Sequence, residues 1–204
     1  MNYCIIDESN PEDYFECEGH VLKTFFKSSG IFQIRNSIEV MRTGQNIEHF
    51  LKAKRNKEYN IVHFGAHGDY MQGTKRKLDY SAYYGLIKGN RAEIFKHDSV
   101  VRVGLKANIF LSTNCKTFNT AFIDIIRNYD GIKNYIAPVD SPYIGDTLIF
   151  SLMFYNKILR VSPSKLLNDN TIIDCFKEVK RSFIKCHRLG DFKLYNHNTN
   201  KIYG

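Results

Sequence analysis

A chain of 204 residues, 43% of them hydrophobic, is long enough to bury a substantial core as a single domain. Its formal net charge of +8 comes from 29 Lys and Arg spread along the sequence. The densest cluster, Lys75, Arg76 and Lys77, has no interleaved aromatic, so it reads as a solvated loop and direct binding of nucleic acid is not expected. The longest apolar stretch, Leu148 to Tyr155, is broken by Ser151 and falls far short of the roughly 20 residues of a membrane-spanning helix.

The segment Met1 to Asp7 lacks the basic start and small-residue cleavage site of a secretory leader. Five cysteines (Cys4, Cys17, Cys115, Cys175, Cys186) form no CxxC pair, and an odd number cannot all pair within one chain. Free thiols and a cytoplasmic location are expected.

In chain order, Tyr3 to Ile6 reads as a buried strand, followed by a helix over Tyr14 to Phe26 with Asp13 at its cap. A second strand is expected at Ile31 to Ile34 and a helix at Ile47 to Ala53 capped by Asn46. Ile61 to Phe64 is the third apolar run. Asp79 to Val103 breaks the rhythm with short alternating runs around Gly85, Gly89 and Asn90, the pattern of a small antiparallel excursion. Strands at Ile109 to Leu111 and Tyr135 to Val139 alternate with helices at Phe122 to Tyr129 and Thr147 to Leu159. One or two further helices are expected between Ser162 and Lys185. Residues 1–194 read as one domain and 195–204 as a loosely ordered polar tail. Strands alternating with helices imply crossover connections and hence an α/β fold, a mostly parallel sheet between two helical layers with a small β-hairpin excursion.

Functional groups of such sheets gather at the carboxyl ends of the strands. Two strands end in reactive side chains: Ile61-Val62-His63-Phe64-Gly65-Ala66-His67-Gly68, and Ile109-Phe110-Leu111-Ser112-Thr113-Asn114-Cys115. A thiol becomes a strong nucleophile when a nearby imidazole takes its proton, which makes Cys115 the candidate nucleophile and His67 the candidate base. Gly68 leaves its backbone N–H open to a substrate, and together with the N–H of Cys115 it would form an oxyanion hole.

His-Phe-Gly-Ala-His-Gly at 63–68 and Leu-Ser-Thr-Asn-Cys at 111–115 resemble the two catalytic motifs of the CHAT-type caspase-like cysteine peptidases, relatives of caspases and separases. A third block agrees: Ala137-Pro138-Val139-Asp140, then Gly145-Asp146-Thr147, then Phe154-Tyr155, with Ala137 where that family carries tryptophan. The resemblance spans roughly residues 60–160. It implies a caspase-like three-layer α/β/α sandwich and a cofactor-free endopeptidase acting on a protein substrate, with His67 as base, Cys115 as nucleophile and Gly68 as oxyanion donor. By the same resemblance, an acidic residue after the next strand would bind a basic side chain at the cleavage position. Asp140 and Asp146 are the candidates, with Asp7 at the end of the first strand also on that edge. The resemblance further implies an effector protease of a microbial antiviral or cell-death system, controlled by a regulatory partner or sensor subunit and gated by the loop from Asp69 to Lys77.

Simpler readings stand beside these. Cys115 as a buried small hydrophobe is disfavoured by its polar neighbours Thr113, Asn114 and Lys116. His63 reads as a supporting core histidine, and His97 with Asp98 as surface. A zinc site from His63, His67 and Cys115 would need helical spacing where the sequence reads as strand. The alternative at the level of function is a catalytically idle caspase-like module that binds a protein partner.

Overall fold

The computed structural model describes residues 2–7, 18–28, 37–42, 52–53, 57–65, 67–72, 78–87, 91–96, 99–161, 168–186 and 190–204, with the backbone alone for 7, 37, 40–42, 67–72, 78–87, 91–96, 99–100 and 185–186. Seven strands form the main sheet: β1 (Asn2–Asp7), β2 (Ser37–Arg42), β3 (Glu58–Gly65), β7 (Lys106–Ser112), β8 (Ile132–Pro138), β9 (Phe192–Asn196) and β10 (Lys201–Tyr203), in the order β10-β9-β8-β7-β3-β1-β2. The first five run parallel, β9 pairs antiparallel with β8, and β10 pairs antiparallel with β9. A second sheet, β4 (His67–Gln72), β5 (Leu78–Ile87) and β6 (Arg91–Lys96), is antiparallel and follows β3 directly.

Near-continuous apolar runs place β1, β3, β7 and β8 at the centre, where a parallel strand must be buried on both faces. Alternate side chains then build two cores. Cys4, Ile6, Val62, Phe64, Phe110 and Tyr135 face helix α3 (Thr120–Arg127), which contributes Phe122, Ile123 and Ile126. On the other face Tyr3, Ile5, Ile61, Ile109, Leu111 and Ile136 meet three helices. These are α1 (Glu18–Ser28), with Leu22 and Phe26, α4 (Ile144–Leu159), with Phe150, Phe154 and Tyr155, and α5 (Asp169–Cys186), with Ile172, Phe176 and Phe183. A short helix, α2 (Ser99–Arg102), precedes β7. Three layers therefore result, as the alternating pattern predicts.

Two helices in succession, α4 and α5, return the chain to the edge that β8 reached, so β9 enters antiparallel, with Phe192 opposite Pro138. Three differences from the sequence reading follow from polar or alternating composition. The segment from Tyr195, expected to be loosely ordered, closes the β9–β10 hairpin, with Tyr195 opposite Ile202. Residues 69–72, expected to belong to a gating loop, are paired in β4. The strand beside β1 is Ser37–Arg42, while the expected strand at Ile31 to Ile34 lies outside the described residues, as do the caps Asp13 and Asn46 and the pair His97 and Asp98. Among the described residues no helix is long and apolar enough to cross a membrane.

Candidate active site

β3 and β7 are parallel neighbours, with Phe64 opposite Ser112, and Thr113 N–H donates to the Phe64 carbonyl at 3.1 Å. Their carboxyl ends therefore leave the sheet side by side. Beyond Ser112 the chain turns through Asn114, Cys115 and Lys116, and Lys116 takes a left-handed φ of 57°, uncommon for a residue with a side chain.

A knot of hydrogen bonds holds this turn. The Ser112 and Thr117 hydroxyls lie 3.0 Å apart, Thr117 Oγ1 donates to the Asn114 carbonyl at 2.8 Å, and Asn114 N–H donates to Ser112 Oγ at 3.2 Å. The buried Tyr135 hydroxyl donates to the Thr117 carbonyl at 2.8 Å. Lys116 N–H reaches the Asp140 carbonyl at 2.7 Å, and Phe118 N–H the Pro138 carbonyl at 2.9 Å, tying the turn to the end of β8. The Ser112, Thr117 and Tyr135 hydroxyls that the turn withdraws from water are thereby answered.

Cys115 sits at the apex of this turn, partly exposed. Burial pushes its thiol above the ordinary range, a hydrogen bond with Ser141 and the Lys116 charge pull it back, and Asp140 raises it again. Left to itself the thiol is thus protonated at neutral pH, and it needs a base to attack.

The backbone of His67 opens β4 immediately beyond the end of β3, and Gly68 follows it opposite Tyr83. The His67 side chain lies outside the described set, as does that of Asp7, whose backbone ends β1 opposite Gly65. Asp146 occupies the first turn of α4 and is partly exposed.

Asp140 is the acidic candidate whose carboxylate geometry is informative. Its Oδ2 accepts the N–H groups of Gly190, at 3.2 Å, and Asp191, at 3.4 Å. Gly190 has a φ of 102°, which a side chain would strain. Asp140 Oδ1 is buried and has no hydrogen-bond partner among the described residues.

His63, four residues before His67, faces the α1/α4 layer. Its Nδ1 lies 2.8 Å from the Tyr155 hydroxyl and its Nε2 lies 3.4 Å from Glu18 Oε1. Buried between α1 and α4, His63 is a core histidine, as its strand position suggests. No group of three or more His, Cys, Asp or Glu among the described residues is arranged to hold a metal ion. Glu18 was not apparent from sequence, because a lone glutamate near a helix start ordinarily reads as solvent-facing. Here it is buried at 8% exposure.

The sequence matches no protein-family model and no curated protein. Among solved structures the chain is similar to a secreted C11 cysteine protease from Bacteroides thetaiotaomicron in complex with an irreversible peptide inhibitor. The TM-score is 0.62 at 11% identity over 97% of this chain and 66% of the protease. A second structure of a secreted C11 cysteine protease from the same organism, called iotapain, gives a TM-score of 0.58 at 12% identity with the same coverage. The chain therefore spans about two thirds of the length of these neighbours. What it shares with them is the fold, a mostly parallel seven-stranded α/β architecture of the caspase-like kind.

Proposed function

We propose that this chain is a cysteine endopeptidase of the CHAT type, with Cys115 as nucleophile and His67 as base. The observation that carries the reading is the Cys115 turn: a partly exposed thiol at the carboxyl end of β7, held by buried hydrogen bonds beside the strand end that leads to His67. The fold shared with a peptidase crystallised with an irreversible peptide inhibitor supports it.

His67 takes the thiol proton as Cys115 Sγ attacks the peptide carbonyl carbon. The N–H groups of Gly68 and Cys115 stabilise the oxygen that gains negative charge. The C–N bond then breaks, and His67 returns the proton to the departing amine. Water, deprotonated by the same imidazole, attacks the thioester and releases the acid and the thiol. The raised thiol makes the base indispensable in this sequence of steps.

At the cleavage position Asp140 favours a basic side chain, since a carboxylate beside the Cys115 turn attracts Arg or Lys. Asp146 and Asp7 are the remaining candidates. A microbial antiviral or cell-death setting, a cytoplasmic location and control by a regulatory partner rest on the CHAT resemblance alone.

Profiling a library of peptide substrates with the full chain and its Cys115→Ala variant, with and without proteins encoded beside it, tests the reading. Cleavage after Arg or Lys that vanishes in Cys115→Ala supports it. Cleavage that survives the substitution removes Cys115 as the nucleophile, and a library left intact under every condition transfers the chain to the idle, partner-binding reading.

A further inference from the structure

Beneath the two strand ends lies a buried polar cluster that the peptide-cleaving steps do not use. Glu18, at the start of α1, is 8% exposed, His63 1% and Tyr155 0%. Taking a carboxylate out of water costs several kcal/mol unless other groups answer it. Here Thr113 Oγ1 donates to Glu18 Oε2 at 2.8 Å. Glu18 Oε1 faces His63 Nε2 at 3.4 Å, and neither atom makes a hydrogen bond among the described residues. Burial and the Glu18 charge hold the Tyr155 phenol well above its ordinary range, so it keeps its proton. Donating that proton to His63 Nδ1 leaves an Nε2–H facing Glu18, the tautomer that this network selects.

The carboxylate touches both strand ends. A Cβ added at Gly65 would come within 2.6 Å of Glu18 Oε2, so a side chain there would push the carboxylate from its place. Thr113, which binds the same oxygen, also lies 3.4 Å from the Phe64 carbonyl through its hydroxyl. Gly65 is two residues before His67, and Thr113 two before Cys115.

We infer that Glu18, backed by His63 and Tyr155, is a positioning residue that clamps the end of β3 to the end of β7 and so fixes the spacing of His67 and Cys115. The inference rests on the dyad proposed above for its consequence in catalysis, but not for the clamp itself. A purely stabilising role is a poor explanation. α1 already docks through the buried Leu22 and Phe26, and a buried carboxylate with one oxygen making no hydrogen bond among the described residues costs a fold stability.

The test compares the full chain with Glu18→Gln, which keeps one acceptor oxygen, Glu18→Ala, and Thr113→Val. Amide hydrogen exchange is read by peptide over 62–68 and 111–117, with β8 and β9 as the internal control. The clamp predicts that exchange at both strand ends accelerates about tenfold or more in Glu18→Ala and Thr113→Val, and less in Glu18→Gln, while the control peptides are unchanged. With a cleavable peptide, kcat falls about 10- to 100-fold in Glu18→Ala with KM within twofold, and Glu18→Gln recovers part of the loss. Unchanged exchange at either strand end, or a uniform rise across the sheet, overturns the inference. Exchange is read whether or not the chain cleaves peptide, so an inert Cys115 in the unsubstituted chain ends the peptidase reading without deciding this one.

Discussion

β7 and β3 run side by side to the same edge of the sheet, but they hand on the chain in different ways. Beyond β7 the polypeptide folds back at once through Cys115 and is knotted to its own strand and to β8 by the Ser112, Thr117 and Tyr135 hydroxyls and the Asp140 carbonyl. Beyond β3 it departs into a separate antiparallel sheet, beginning with His67 and Gly68 in β4. One reactive group is thus built on the core and the other on an appended layer. A pair divided in this way depends on whatever joins the two strand ends, and the Glu18 carboxylate occupies that junction.

The largest effects fall on the pair itself. Cys115→Ala abolishes turnover, and His67→Ala lowers kcat/KM by about 10²- to 10⁴-fold, the usual worth of a general base; both are read by steady-state hydrolysis of a peptide with Arg at the cleavage position. Next in size, Asp140→Asn reduces the preference for Arg over a neutral side chain at that position by about 10- to 100-fold, the value of a charge-assisted hydrogen bond. Paired rate measurements on the two substrates check this, and an unchanged preference moves the specificity role to Asp146 or Asp7.

On the nucleophile side, Thr117→Val removes the hydroxyl shared by Ser112 and the Asn114 carbonyl. It destabilises the chain by about 1–3 kcal/mol in urea titration. The smallest effect is expected at Ser141. Its hydrogen bond lowers a thiol that burial has raised, so Ser141→Ala sends the Cys115 thiol higher and leaves less thiolate at any pH below it. The pH profile of Cys115 alkylation shifts towards alkaline pH, with a loss of about threefold at neutral pH. A shift in the acid direction would mean that Ser141 does not bond to the thiol.

The parts of this architecture that apolar patterning controls were legible in the sequence. β1, β3, β7 and β8 are short runs buried on both faces, and α3 and α4 carry their apolar residues at helical spacing. Edge strands were harder. Ser37–Arg42 alternates apolar and polar residues as a half-buried strand should, and Phe192–Asn196 buries Phe192 and Leu194 between Lys193 and a polar turn, a signal masked by the asparagines around it. At the site, the two strand-terminal motifs named Cys115 and His67 because their chemistry is local in sequence. Glu18 lies 45 residues before His63 and 95 before Thr113, and only the packing of α1 on the sheet brings it to them. Asp140 was one of three acidic candidates, and only packing reveals that its carboxylate accepts the Gly190 and Asp191 N–H groups.

The most direct measurement is mass-mapped labelling of the full chain with a peptidyl acyloxymethyl ketone carrying Arg at its cleavage position. A single adduct on Cys115, lost in His67→Ala, is the predicted result. No adduct under any condition, an adduct on another cysteine, or Cys115 labelling that persists without His67 would contradict the dyad.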